Sequence, residues 1–278
     1  MKNNNIKNSF ILSLIQFSAG DNKEENLQKA EKLIRAAQVQ KLEKYGKEFE
    51  QLICLPEVFN FRSKGFQSNI NAAEKIPAGK TYKWAKELAK ELGVWLVAGS
   101  ILEVSETNAQ KPFNSCFVLN PQGQIVAKYR KINLFKLQLE DSPELSEPDY
   151  RSAGHKSICF ETPFCRIGLA ICFDLRFPKI FNDLRRQNCE LILLPSAFTY
   201  KTGKAHWETL CKARAIENQI FFAGINQTSD SNCWGHSMLI NPWGEVLESM
   251  NDKEEDFRNI KISPEEVQAI REKLPMKL

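Results

Sequence analysis

Gln51-Leu-Ile-Cys-Leu-Pro-Glu-Val-Phe59 returns later in the chain as Glu190-Leu-Ile-Leu-Leu-Pro-Ser-Ala-Phe198. Each copy is a short apolar run stopped by Leu-Pro and a turn, the pattern of a strand buried on both faces. Three further pairs echo one another in the same order. Leu14-Ile-Gln-Phe17 matches Ala170-Ile-Cys-Phe173, and Gly93-Val-Trp-Leu-Val-Ala-Gly-Ser100 matches Gln219-Ile-Phe-Phe-Ala-Gly-Ile225. Phe117-Val-Leu-Asn-Pro-Gln-Gly-Gln-Ile125 matches Met238-Leu-Ile-Asn-Pro-Trp-Gly-Glu-Val246. One echo could be chance; four in register mark an internal repeat. The expected helices are Glu24–Leu42 and Thr81–Leu92 in the first half, Pro178–Gln187 and Ala205–Asn218 in the second. The Asn-Pro-x-Gly units are turn chemistry between two alternating runs, hence hairpins. Each half reads strand, helix, strand, helix, strand, hairpin. Two sheets, each covered by helices on one face, predict a four-layer αββα sandwich, a single α/β domain over residues 1–278.

Composition narrows the class. The 278 residues carry 38 Lys and Arg against 34 Asp and Glu, a net charge of +4 spread without a basic stripe. That disfavours nucleic acid as a partner. No stretch reaches the length of a membrane span. Lys2 and Lys7 precede Phe10-Ile-Leu-Ser-Leu-Ile15, but the run is short and broken by Ser13, so it reads as a first core strand rather than a leader. The eight cysteines form no Cys-x-x-Cys pair, and several sit inside apolar strands. This predicts reduced thiols and a cytoplasmic location.

The repeat also gathers candidate chemistry. Cys172 closes the apolar run Arg166-Ile-Gly-Leu-Ala-Ile-Cys172 and is followed by Phe173-Asp-Leu-Arg-Phe-Pro178, with a helix expected from Pro178. A thiol at a strand end facing a helix N-terminus is placed where a thiolate is favoured. In the echo Cys172 corresponds to Gln16, and Glu57 to Ser196. Both Cys172 and Glu57 therefore sit at strand C-terminal ends, where open α/β sheets bind ligands. Burial would raise the Glu57 carboxyl unless a cation lies beside it.

A nucleophilic Cys needs a base. His155, His206 and His236 carry no local signature of a Cys/His pair, though such a pair stays open. A phosphatase loop would need Arg where Pro178 stands, and no Gly-x-Ser-x-Gly elbow occurs. The three His are too scattered for a metal site. A base other than His is the alternative, and Tyr129-Arg-Lys-Ile-Asn-Leu-Phe135 supplies Lys131 on the same strand face as Tyr129.

On these residues the chain resembles the nitrilase superfamily of carbon–nitrogen hydrolases over nearly its full length. The segments that carry the resemblance are Leu55-Pro-Glu57, Tyr129–Phe135 and Cys172–Pro178, in the family's order. Thr202-Gly-Lys-Ala-His-Trp-Glu208, Arg214-Ala-Ile-Glu-Asn218, Gly235-His-Ser237 and Asn241-Pro-Trp-Gly244 resemble the branch of ω-amidases and deaminated-glutathione amidases. The resemblance implies a Glu57–Lys131–Cys172 triad with Glu147 assisting. It also implies an oxyanion met by Lys131 and the Phe173 N–H, and no metal or organic cofactor. Phe173 stands where many members have Tyr, and Asn133 where many have His. The implied reaction is hydrolysis of a small ω-amide of a dicarboxylic keto acid, or of deaminated glutathione, through a thioester. An N-carbamoyl amino acid amidohydrolase, a nitrilase and an inactive oligomeric scaffold are the alternatives. Arg176, Lys201 and Lys204 are candidates for a substrate carboxylate, the two lysines more readily placed on a solvated loop. Ala197, Phe198 and Thr199 are candidates for the pocket wall. A homodimer is expected through the helices at 178–187 and 205–218, with Trp207 and Phe181 serving there or in the core and Ile262–Leu278 reaching a partner.

Overall fold

The computed structural model describes residues 9–139 and 142–276; Lys2, Lys7 and the two C-terminal residues lie outside them. The chain begins with β1 (Phe10–Gln16), α1 (Lys23–Tyr45), β2 (Gln51–Cys54), α2 (Phe66–Asn71), α3 (Lys80–Leu92), β3 (Trp95–Val97), β4 (Ile101–Glu103), β5 (Phe113–Leu119) and β6 (Ile125–Arg130). A small hairpin, β7 (Lys136–Leu139) and β8 (Ser142–Ser146), leads to the second half. There follow β9 (Ile158–Glu161), β10 (Arg166–Leu169), α4 (Pro178–Arg186), β11 (Leu191–Pro195), α5 (Tyr200–Asn218), β12 (Phe221–Ile225), β13 (Met238–Ile240) and β14 (Val246–Ser249). The chain closes with β15 (Asp256–Ile262) and α6 (Glu265–Lys273).

The repeat is visible in the topology. Strands β1, β2 and β3 run parallel, and β5 lies antiparallel to β3 and β6. In the second half β10, β11 and β12 run parallel, β13 returns antiparallel to β12, and β14 pairs with β13. Leu52 lies opposite Trp95, and its echo Leu191 lies opposite Phe221, the echo of Trp95. The first strands are one residue out of step with the sequence echo. Leu12 faces Leu52, whereas Ile167 rather than Gly168 faces Leu191. By register the counterpart of Cys172 is therefore Phe17, not Gln16.

Alternation of side chains builds the layers. Phe10, Leu12, Leu14, Leu52, Cys54, Trp95, Val97, Cys116 and Val118 point at the second sheet and share one core with its strands. Their neighbours Ile15, Ile53, Leu96, Phe117 and Leu119 point the other way, onto Leu27, Ala30 and Ile34 of α1 and Ala85 and Leu88 of α3. Across the second sheet, Phe181 and Leu184 of α4 and Trp207, Cys211 and Ala215 of α5 cover the opposite face. The result is the αββα sandwich. Each fully buried Leu or Phe contributes about 1.5–3 kcal/mol, and a one-residue slip would turn every one of them to the wrong face.

Two expectations change and one open choice is decided. Helix α5 starts at Tyr200 rather than Ala205, so Lys201 and Lys204 lie on its first turns and not on a loop. Gly203 looks like a helix breaker, but a Cβ there would come within 2.2 Å of Trp234; the glycine allows close packing. Trp207 and Phe181 are fully buried core residues. The C-terminal segment folds back on its own chain. Strand β15 pairs along all of β1, from Phe10 opposite Ile262 to Gln16 opposite Asp256. Beyond it Val267 is buried, and Arg271 Nη2 donates to the Cys189 carbonyl at 2.8 Å. No helix among the described residues is long and apolar enough to cross a membrane.

Candidate active site

Four loops at the strand ends converge. Glu57 follows β2 through Leu55-Pro56, and this turn is seated on the end of β3. Gly99 approaches so closely that a Cβ would lie 1.9 Å from the Pro56 carbonyl oxygen, and Ser100 Oγ accepts the Val58 N–H at 3.0 Å. Val58 itself sits at φ 45°. For a β-branched residue that conformation is strained and is held only by its surroundings. Cys172 is the second such position, at φ 47°, and opens a 3-10 turn running to Arg176. Lys131 lies just past β6, and Glu147 opens the short turn after β8.

These side chains meet. Lys131 Nζ donates to Glu57 Oε1 at 2.9 Å and to Glu147 Oε2 at 3.0 Å. Glu57 Oε1 also accepts from Asn114 Nδ2 at 2.8 Å, and its Oε2 accepts from the Ala197 N–H at 2.8 Å. The Cys172 thiol lies beside the same carboxylate and the same Ala197 N–H. Gln227 Nε2 ties the Glu57 carbonyl at 2.7 Å, so the second half grips the turn by its backbone as well. Glu147 Oε2 is fixed in turn by the Phe135 N–H at 2.8 Å. Glu57, Lys131 and Cys172 are 4 %, 1 % and 7 % exposed, far from the surface placement usual for Glu and Lys.

Burial and charge compete at each group. Burial pushes the Glu57 carboxyl up, but the charge and hydrogen bond of Lys131 outweigh it, and the net shift is downward. Burial pulls the Lys131 ammonium down, and Glu147 and Glu57 more than restore it. Burial lifts the Cys172 thiol well above its ordinary range, and the Glu57 charge adds to that. The resting site is thus a carboxylate beside a neutral thiol. At Cys172 desolvation outweighs the helix-end placement expected to favour a thiolate.

Asp174 had no part in the sequence reading, yet it couples two of the loops. It is fully buried; Oδ2 accepts from the Tyr129 hydroxyl at 2.6 Å and the Ile171 N–H at 2.9 Å. Its Oδ1 accepts from the N–H and Nδ2 of Asn133 at 2.9 and 2.8 Å. The Cys172 turn and the Lys131 loop are therefore one hydrogen-bonded unit, with Asn133 in it. Only the proximity of Asp174 to Cys172 in the chain hinted at this. Asn114 was missed for a plainer reason: inside β5 it reads as one polar residue in an apolar strand.

A cavity of about 660 Å³ opens above the cluster, a volume fit for a small organic molecule. Ala197, Phe198 and Thr199 line it, as does Phe173, whose ring meets Phe135 and Phe177 edge-on at 5.2 and 5.5 Å. Arg176 does not line it. Its guanidinium lies over the rings of Phe173 and Phe198, and Nη2 sits 3.3 Å from His206 Nδ1. Among the described residues, the cations on the wall besides Lys131 are Arg62, Lys64 and Arg151, none of them anticipated.

Residues 12–272 match the family model for carbon–nitrogen hydrolases. This chain belongs to that family. It is 36 % identical to the ω-amidase NIT2 of Xenopus tropicalis over 274 residues, covering 96 % of this chain and 94 % of the relative. It is 34 % identical to the deaminated glutathione amidase of Dictyostelium discoideum over 287 residues, covering 98 % and 96 %. Among solved structures, the Caenorhabditis elegans NitFhit protein superposes with a TM-score of 0.87 at 32 % identity. That match covers 97 % of this chain and spans 64 % of the length of NitFhit. The nitrilase fold expected from the motifs is the fold observed, and the chain is a carbon–nitrogen hydrolase of the amidase type.

Proposed function

We propose that this carbon–nitrogen hydrolase removes the terminal amide of a small ω-amide, of the dicarboxylic keto acid or deaminated glutathione kind, with Cys172 as nucleophile. The observation that carries the reading is one carboxylate, Glu57, held by Lys131, Asn114 and the Ala197 N–H against a neutral thiol. Glu57 takes the thiol proton as sulfur attacks the carbonyl carbon, so no free thiolate is needed at rest. The tetrahedral oxyanion requires fixed donors. An ammonium has three N–H groups; Lys131 spends one on each carboxylate and keeps the third for the oxyanion. The Phe173 N–H is the second donor. The C–N bond then breaks, Glu57 returns its proton to the departing nitrogen, and ammonia leaves a thioester on Cys172. Glu57 next takes a proton from water, hydroxide adds to the thioester, and the carboxylic acid departs as the thiol is restored. Glu147 keeps Lys131 charged and aimed.

We assign the enzyme to the cytoplasm on its eight free cysteines. We also infer a homodimer. Ile216 of α5 is 50 % exposed beside the Asn241–Gly244 turn, whose Trp243 is 58 % exposed, a paired apolar surface on the second half. A panel of amides tests the reaction. Ammonia release is expected from α-ketoglutaramate, α-ketosuccinamate or deaminated glutathione, and none from a nitrile or an N-carbamoyl amino acid. Turnover of only the last two would overturn the assignment.

A further inference from the structure

We propose that Arg151 receives the carboxylate of the substrate and so selects amides that carry an anionic tail. The inference rests on the amidase reading of the Cys172 site and names what holds the far end of the substrate there. Arg151 lies four residues beyond Glu147 and lines the cavity. Its side chain is only 10 % exposed, yet its guanidinium is under-used. Nε forms a loose ion pair with Glu147 Oε1 at 3.5 Å, and Nε and Nη1, both closed to solvent, have no hydrogen-bond partner among the described residues, so a carboxylate meets them when the side chain turns toward the cavity. A buried guanidinium with idle donors is costly unless an anion completes it.

Glu147 does not fill that role. Its Oε2 is committed to Lys131 and the Phe135 N–H, and only Oε1 turns toward Arg151. The ring of Tyr150, 5.3 Å from the Arg151 guanidinium, flanks it within the wall, and that ring is braced by Phe66 at 4.2 Å. The charge of the wall agrees. Among the described residues of the wall, Arg62, Lys64, Lys131 and Arg151 face Glu57, Glu147 and Asp230, an excess of one positive charge. Arg62 already gives Nη1 to the Ser231 carbonyl at 2.6 Å, whereas Arg151 has donors to spare. A guanidinium also matches a carboxylate with two parallel hydrogen bonds. The cavity thus sets the Arg151 guanidinium beside Glu147, one side chain removed from Lys131 and the reacting Cys172. A molecule with an amide at one end and a carboxylate at the other fits that arrangement.

The full chain, wild type and with Arg151→Met or Arg151→Lys, is assayed on glutaramate and on pentanamide, its uncharged analogue of equal chain length. Binding of glutarate, the product of glutaramate hydrolysis, is followed by calorimetry. Arg151→Met is expected to raise KM for glutaramate and Kd for glutarate by about 10- to 100-fold, the loss of one charge-assisted pair. kcat for glutaramate and kcat/KM for pentanamide stay within about threefold, and Arg151→Lys recovers part of the loss. Equal damage to both amides would overturn the proposal and leave Arg151 as a brace for Glu147. Unchanged glutarate affinity, or no glutarate binding by the wild type, would overturn it too. If the wild type binds glutarate through Arg151 but releases no ammonia from either amide, the amidase reading fails and the carboxylate site stands.

Discussion

Glu57 is asked to be a base while buried, and its neighbours make that workable. Lys131 keeps it ionised at neutral pH, and the Cys172 thiol it faces is held neutral by burial. The pH dependence follows from these directions. A carboxyl whose pKa is lowered stays ionised above that value and fails only as pH falls through it. The account expects kcat/KM to be flat through neutral pH and to fall on the acid side below the usual carboxylate range. A rate rising tenfold per unit between pH 7 and 9 would mean that a free thiolate attacks, and would contradict the assignment to Glu57. At this scale the motifs were legible because each reacting residue sits in a short, directional segment: Leu-Pro-Glu, Tyr-Arg-Lys and Cys-Phe-Asp. The supports were not. Asn114 and Asp174 act through contacts across the fold, and nothing beside them in the chain declares a partner.

Among the elements, β6 matters most, because Lys131 hangs from its end. Glu103, at the end of β4, pins that strand from below. Arg130 gives Glu103 two hydrogen bonds at 2.8 Å, Lys128 one at 2.6 Å, and Ser115 of β5 one at 2.6 Å. Burial pushes the Glu103 carboxyl up, but these donors outweigh it and bring it down to about 2. Its contribution to stability is therefore whole above about pH 4.5 and is lost as pH falls toward 2. Glu103→Gln is expected to cost about 1–3 kcal/mol at pH 7, a figure for charge-assisted hydrogen bonds. It should also flatten the acid decline of the thermal midpoint over that window; an unchanged midpoint at both ends of the window would contradict the role. Neither β4 nor β15 was anticipated. Strand β4 is three residues long, and β15, Asp256-Phe-Arg-Asn-Ile-Lys-Ile262, is a largely half-buried edge strand whose polar residues blur the apolar signal.

For the whole molecule, the repeat is what makes a site. The first half contributes Glu57 and Lys131, and the second contributes Cys172 and the Ala197 N–H, so neither sheet holds the chemistry alone. Strand β15, leaving the second half to pair with β1, and Gln227, holding the Glu57 carbonyl, lock the two sheets together. The sandwich could be read from four echoes, since buried strands keep their apolar runs. The one-residue offset of β1 could not, because Ile11 and Leu12 are equally apolar and only pairing sets them apart. If Glu57 and Cys172 act as one unit across the two halves, their losses should not add. Ammonia release from an ω-amide is therefore measured for Cys172→Ala, Glu57→Gln and the double variant, each checked for an intact thermal transition. The account predicts that each single change lowers the rate by about a thousandfold or more, with the double no worse than Cys172→Ala. Turnover by Cys172→Ala within tenfold of the wild type would contradict it.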